Sequence, residues 1–163
     1  MTEKLPTTNK NNKNSFLIHN LEKPILDQVK EIIGPVKIKH AKILAPFFNE
    51  EGSVVDYLVK NGCNEFDIFV QPDHVEKFPK EIIKKLIKQG KKISIHSIKF
   101  QGDEEIYFHA KALILNTDAD SYCLYGSANP TYSGMCSLPT SGNLELCVLR
   151  KEGCDYFDNL VSN

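Results

Sequence analysis

From Phe16 onward, short apolar runs alternate with amphipathic segments, separated by Pro, Gly or Asn. That is the pattern of a chain in which strands alternate with helices. Leu21, Ile25, Leu26, Val29 and the Ile32-Ile33 pair recur at helical spacing. Asn20 is placed to cap this helix, Pro24 falls in its first turn, and Gly34-Pro35 ends it. Val36 to Ala45 reads as a strand closed by Pro46, and Gly52 to Lys60 as a short helix ended by Asn61-Gly62. Phe66 to Val70 is an apolar strand stopped by Gln71-Pro72. Pro79 to Gln89 is a helix with Gly90 at its end, and Lys92 to Ile98 an alternating strand. The last third is richer in β-pattern. Glu105 to Leu115 and Tyr122 to Tyr125 are joined by the polar turn Asn116 to Ser121. Pro130 to Gly142 is a small-residue loop, Leu144 to Leu149 a strand, and Cys154 to Val161 a closing helix. Strands alternating with helices, then a hairpin, predict an α/β domain on a mixed sheet flanked by helices.

Residues 1–15 carry almost no apolar material and read as a disordered polar tail, leaving residues 16–163 as one domain. The chain of 163 residues is 41% hydrophobic and 25% charged, enough apolar material to bury a core. No apolar run approaches the roughly 18 residues that cross a membrane, and the N-terminus has no apolar leader segment. Five cysteines (63, 123, 136, 147 and 154) are an odd number without a CxxC pair. They suit neither a zinc site nor a disulfide framework, and a reduced, cytoplasmic protein is expected. Cys123 and Cys147 sit in apolar stretches and read as buried thiols.

The formal net charge of −1 conceals an uneven distribution. Lys77 to Lys99 holds eight lysines and one acid, whereas residues 100–163 sum to −6. The basic stretch fits the solvated face of an amphipathic helix and also fits a surface that tracks phosphates.

Chemistry-bearing residues gather in the last third. If Phe108 to Leu115 is a strand, His109 and Lys111 project from one face. The following strand ends in Gly126-Ser127-Ala128-Asn129, and pairing through the turn brings that end toward the His/Lys end. An ammonium, a hydroxyl and a carboxamide around an imidazole suit a phosphate group, with histidine as nucleophile or proton carrier. Glu145 is a candidate carboxylate to orient the imidazole. His19, His40, His74 and His96 have no such grouping and read as structural or surface histidines.

The order His109-Ala-Lys111, Gly126-Ser127-Ala128-Asn129 and Gly142-Asn-Leu-Glu145 resembles the phospholipase D superfamily, over about Phe16 to Leu160. That family's mark is His-x-Lys, four residues, Asp, six residues, then Gly-Ser-x-Asn. Two departures stand out. Asn116 occupies the Asp position, with Asp118 and Asp120 as nearby acids, and the Lys-to-Gly gap is three residues longer. The resemblance implies a phospholipase D-like half-domain and a phosphodiesterase using neither metal nor cofactor. His109 would attack phosphorus to form a phosphohistidine, while Lys111, Ser127 and Asn129, with Gly126 beside them, bind the phosphate and Glu145 orients His109.

One motif copy supplies one imidazole of the two such a mechanism uses. This implies a homodimer sharing one active site, or a piece of a longer two-copy protein. Small single-copy members look like nucleases, so nucleic acid, DNA in particular, is the expected partner and a membrane is not. Phe47 and Phe48 are candidate base-stacking residues or simple core packing. The single arginine, Arg150, gives little scope for bidentate base readout, so low sequence specificity is expected. The alternatives are a catalytically idle dimerisation or DNA-docking module attached to a helicase or restriction partner, and a lipid phosphodiesterase.

Overall fold

The computed structural model describes residues 14–49, 52–71, 78–98, 109–139 and 143–151. Among these residues seven strands form one mixed sheet, β1 (Ser15–His19), β2 (Ile38–Leu44), β3 (Glu65–Val70), β4 (Lys92–Ser97), β5 (Ala112–Thr117), β6 (Ser121–Gly126) and β7 (Leu146–Lys151). Their spatial order is β1-β7-β6-β5-β2-β3-β4. Among the described residues three α-helices accompany them, α1 (Ile25–Ile33), α2 (Ser53–Lys60) and α3 (Lys80–Lys88), with one π-helical turn at Tyr132–Cys136. This is the α/β architecture on a mixed sheet flanked by helices that the sequence pattern predicts.

Strands β2, β3 and β4 are parallel and linked through α2 and α3. Because the strands advance in one direction, crossovers of one hand carry both helices to the same face. There Ala41, Ile43, Phe66, Ile68, Leu113, Leu115, Leu124 and Leu149 pack with Ile25, Val29, Val54, Leu58, Ile82 and Leu86 in one core. Each helix offers an apolar stripe at helical spacing, and each fully buried large side chain contributes about 2 kcal/mol of transfer free energy. Leu44, Phe69 and Ile114 form a smaller cluster on the second face. No helix among the described residues is long and apolar enough to cross a membrane.

Several sequence expectations shift. The chain pairs from Ser15, the last residue assigned to the polar tail, so a strand precedes the first helix. That helix begins at Ile25 after Pro24, and Asn20 is not its cap. The Asn20 side chain is engaged elsewhere, while Gln28 Nε2 closes the intervening turn onto the carbonyls of His19 and Lys23. The segment 130–142 contains the π-helical turn, started by Thr131, whose Oγ1 accepts from Gly134 N. Cys147 is buried and Cys123 partly so. Burial pushes the Cys63 and Cys136 thiols up to about 11, as expected of unreactive interior cysteines. Residues 154–161, read as a closing helix, lie outside the described residues.

Candidate active site

The pairing pattern decides which residues can meet. Strands β2, β3 and β4 run parallel, β5 opposes β2, β6 opposes β5, β7 opposes β6, and β1 opposes β7. The carboxyl ends of β1, β2, β3, β4 and β6 therefore share an edge with the amino ends of β5 and β7. Asn20, Ala45–Phe47, His109–Lys111, Ser127–Asn129 and Asn143–Glu145 all flank that edge. The carboxyl edge of an open α/β sheet is where such folds place ligands.

His109 and Lys111 are not inside a strand, because β5 starts at Ala112. The ladder stops where β2 stops. Ala112 faces Leu44 and Tyr125, and just past Leu44 comes Pro46, which has no N–H to donate. The alternation argument thus fails in detail, since His109 is exposed and Lys111 buried. The two meet through the lysine side chain. Lys111 Nζ stands 2.9 Å from His109 Nδ1, 3.1 Å from Nε2 and 2.9 Å from the His109 carbonyl oxygen. A ring nitrogen that faces the ammonium presents its lone pair.

Glu145 is buried and accepts a hydrogen bond from the Ser127 hydroxyl at Oε2. Ser127 Oγ in turn accepts the Leu146 N–H at 3.0 Å. Burial holds the Lys111 ammonium below its ordinary pKa, and the Glu145 carboxylate opposes that shift. An imidazole, an ammonium, a hydroxyl and a carboxylate thus share one neighbourhood, with Glu145 bearing on Ser127 directly and on Lys111 through space.

Gly126 permits the close approach of β6 to β7. A Cβ there would lie 2.3 Å from the Leu146 carbonyl oxygen. Asn129 follows on the same edge, its carbonyl held by Thr131 N–H at 2.8 Å and its Oδ1 buried without a hydrogen-bond partner. The aromatic pair divides. Phe48 packs against the core, edge-on to Phe78 with ring centroids 4.9 Å apart, and Phe47 stays exposed at the end of β2.

The departures from the motif fall at the other edge. Asn116 spans β5, donating from Nδ2 toward His40 Nδ1 at 3.4 Å and accepting at Oδ1 from Ser121 Oγ at 2.8 Å. Thr117 and Asp120 close the turn, with Thr117 Oγ1 donating to the Asp120 carbonyl at 2.8 Å, and the Asp120 carboxylate pairs with Lys151 at 2.9 Å. Six strand residues, roughly 20 Å, separate this turn from His109. The extra residues therefore lengthen the far turn and leave the His109 and Ser127 ends in register.

Sequence reading missed two features. Asn20 is fully buried against Asn143 and Glu145. On the second sheet face, Asp67 accepts from His40 Nε2 and from His96 Nε2, each at 2.7 Å, and His96 stacks on Phe69. Three neighbouring strands supply these groups, and a cross-strand register is the signal that would have found them. Among the described residues, no three His, Cys, Asp or Glu side chains converge as metal ligands do.

No protein-family model and no curated protein sequence matches the chain. Solved structures do. TrmBL2, an archaeal chromatin protein with a novel mode of DNA binding, superposes with a TM-score of 0.50 at 12% identity, over 94% of this chain and 53% of its own. Polyphosphate kinase from Porphyromonas gingivalis superposes at 0.53 and 12% identity, over 92% of this chain and 26% of its own. Yeast tyrosyl-DNA phosphodiesterase reaches 0.47 at 16% identity, over 82% of this chain and 31% of its own. The chain thus spans about half the length of the first and less of the others. At these identities the likeness concerns the fold.

Proposed function

We propose that the protein is a phosphodiesterase of the phospholipase D superfamily, acting on nucleic acid with low sequence specificity and without a metal. The observation that supports this reading most is the meeting of His109, Lys111, Ser127 and Glu145 at the carboxyl edge of the sheet. His109 attacks phosphorus, so a P–N bond forms as the P–O bond to the leaving group breaks. A second imidazole, from a second copy of the chain, gives the leaving oxygen its proton. That imidazole then takes a proton from water, whose oxygen displaces His109. Lys111, Ser127 and Asn129 stabilise the charge that develops on the non-bridging oxygens. Glu145 holds Ser127 and supports the charge on Lys111. Phe47 offers an exposed aromatic face for a base.

A second reading is a DNA-docking module without catalysis. It is favoured by Asn116 in place of the motif Asp and by a DNA-binding chromatin protein among the similar folds.

The test is cleavage of a plasmid and of bis-(p-nitrophenyl) phosphate in EDTA, wild type beside His109→Ala, with sedimentation of the same samples. EDTA-resistant cleavage by a dimer, lost in the variant, is expected. A dimeric wild type that binds DNA without cleaving it selects the docking module, and cleavage abolished by EDTA overturns the metal-free mechanism. A monomer that is inactive alone selects half of a longer two-copy protein.

A further inference from the structure

We propose that Asn20 is a positioning residue of the candidate site, holding Glu145 where its carboxylate can serve Ser127 and Lys111. The inference rests on the phosphodiesterase reading and adds to it a residue from the opposite end of the chain. Asn20 lies just past β1, with no exposed surface. Its side chain substitutes for a continuing strand. Oδ1 accepts the Glu145 N–H at 2.8 Å, Nδ2 donates to the Asn143 carbonyl at 3.1 Å, and its own N–H reaches the Glu145 carbonyl at 3.4 Å. The segment entering β7 is thereby gripped on both sides of Glu145. A carboxamide suits this task because it offers one acceptor and one donor in a fixed plane. Aspartate would set an oxygen against the Asn143 carbonyl, and alanine would leave the buried Glu145 N–H without its partner.

The consequence reaches the site through one residue. Glu145 is buried, so its carboxylate direction follows its backbone, and that carboxylate accepts from Ser127 Oγ and opposes the desolvation of Lys111. Loosening the backbone at 143–145 releases Ser127 and Lys111 together. Misplacement of about 1 Å at a catalytic constellation costs up to about 100-fold in rate.

The test is a double-mutant cycle on the full chain, with bis-(p-nitrophenyl) phosphate cleavage and amide hydrogen exchange as readouts. Asn20→Ala should lower kcat about 10- to 100-fold with little change in KM in the wild-type background, and change it little in the Glu145→Gln background. The Glu145 amide should exchange at least about 10-fold faster while the Leu115 amide, in the sheet interior, keeps its rate. Asn20→Ser serves if the alanine variant does not fold, since its hydroxyl cannot span both partners. An equal kcat loss in both backgrounds overturns the proposal, as does an unchanged Glu145 amide. If the wild type cleaves no phosphodiester, the phosphodiesterase reading fails, and the exchange rates alone decide whether Asn20 fixes Glu145.

Discussion

Replacing Gly126 with alanine tests the geometry on which the site depends. The added Cβ would stand 2.3 Å from the Leu146 carbonyl oxygen, 2.7 Å from Cys147 Cα and 2.9 Å from Cys147 Sγ. Carbon and oxygen tolerate roughly 3.3 Å, so β7 must retreat from β6 by about 1 Å. The displaced carbonyl also accepts the Ser127 N–H at 3.1 Å. Overpacking of this kind costs about 1–3 kcal/mol, the weakened hydrogen bond about 1 more, and the positive φ of Gly126 about another 1. A loss near 4 kcal/mol is therefore expected. With a urea slope of about 2 kcal/mol/M, the unfolding midpoint falls by about 2 M. Gly34→Ala is the control. Gly34 also has a positive φ but no heavy atom within 4 Å of the added carbon, so it should lose only about 1 kcal/mol. A Gly126→Ala midpoint within about 0.3 M of wild type, or equal losses at the two sites, would refute the close approach of β6 and β7.

Two other measurements probe features away from the site. Asp67 is exposed enough to tolerate substitution, yet it carries two histidine hydrogen bonds. Burial pushes its pKa up, but the bonds from His96 and His40 outweigh burial and hold it below the ordinary carboxylate value. A depressed folded-state pKa stabilises above the unfolded-state value, near 3.8, and that stability is lost as pH falls through the lower folded-state value. Asp67→Asn should therefore cost about 2 kcal/mol at pH 7 in urea unfolding, a deficit that shrinks as pH falls below about 4. A deficit independent of pH would deny that these hydrogen bonds hold Asp67 as a carboxylate. On α3, Lys80, Lys84 and Lys88 lie four residues apart in an exposed row that begins at the site edge. Changing all three to glutamine should flatten the salt dependence of single-strand binding by about 2 in log–log slope, and an unchanged slope returns the row to a solvated face.

The sequence disclosed most elements because their signals are local. Proline or glycine closes α1, β2, α2, β3 and α3, and the apolar spacing inside each matches its period. Where signals conflict, the reading slipped. Asn20 precedes an apolar helical pattern, which is also how a helix cap is spelled, and only the far end of the chain reveals that its amide is spent on Asn143 and Glu145. β5 starts at Ala112, inside the expected strand, because β2 ends at Leu44 while the β-pattern runs on before Ala112; residues 105–108 of that strand lie outside the described residues. His40, Asp67 and His96 could not be joined from sequence, since their meeting needs the register of three strands.

The sheet topology explains why a long link between His109–Lys111 and Gly126–Ser127 does not pull the two groups apart. A hairpin separates His109–Lys111 from Gly126–Ser127, so any length change between them can be absorbed in the turn at Thr117–Asp120. The strands above the turn keep the Ala112–Tyr125 pairing whatever the turn contains. Asn116 lies on β5, facing His40 and Ser121, and offers the donor and acceptor those partners need. A change at Ser127 or Leu146 itself has no comparable refuge. Those residues exchange hydrogen bonds at the edge itself, with Ser127 N–H donating to the Leu146 carbonyl and Leu146 N–H to Ser127 Oγ. Tolerance to change should therefore be high at the hairpin turn and low at the Ser127–Leu146 junction, although both lie within the same β-rich third of the chain.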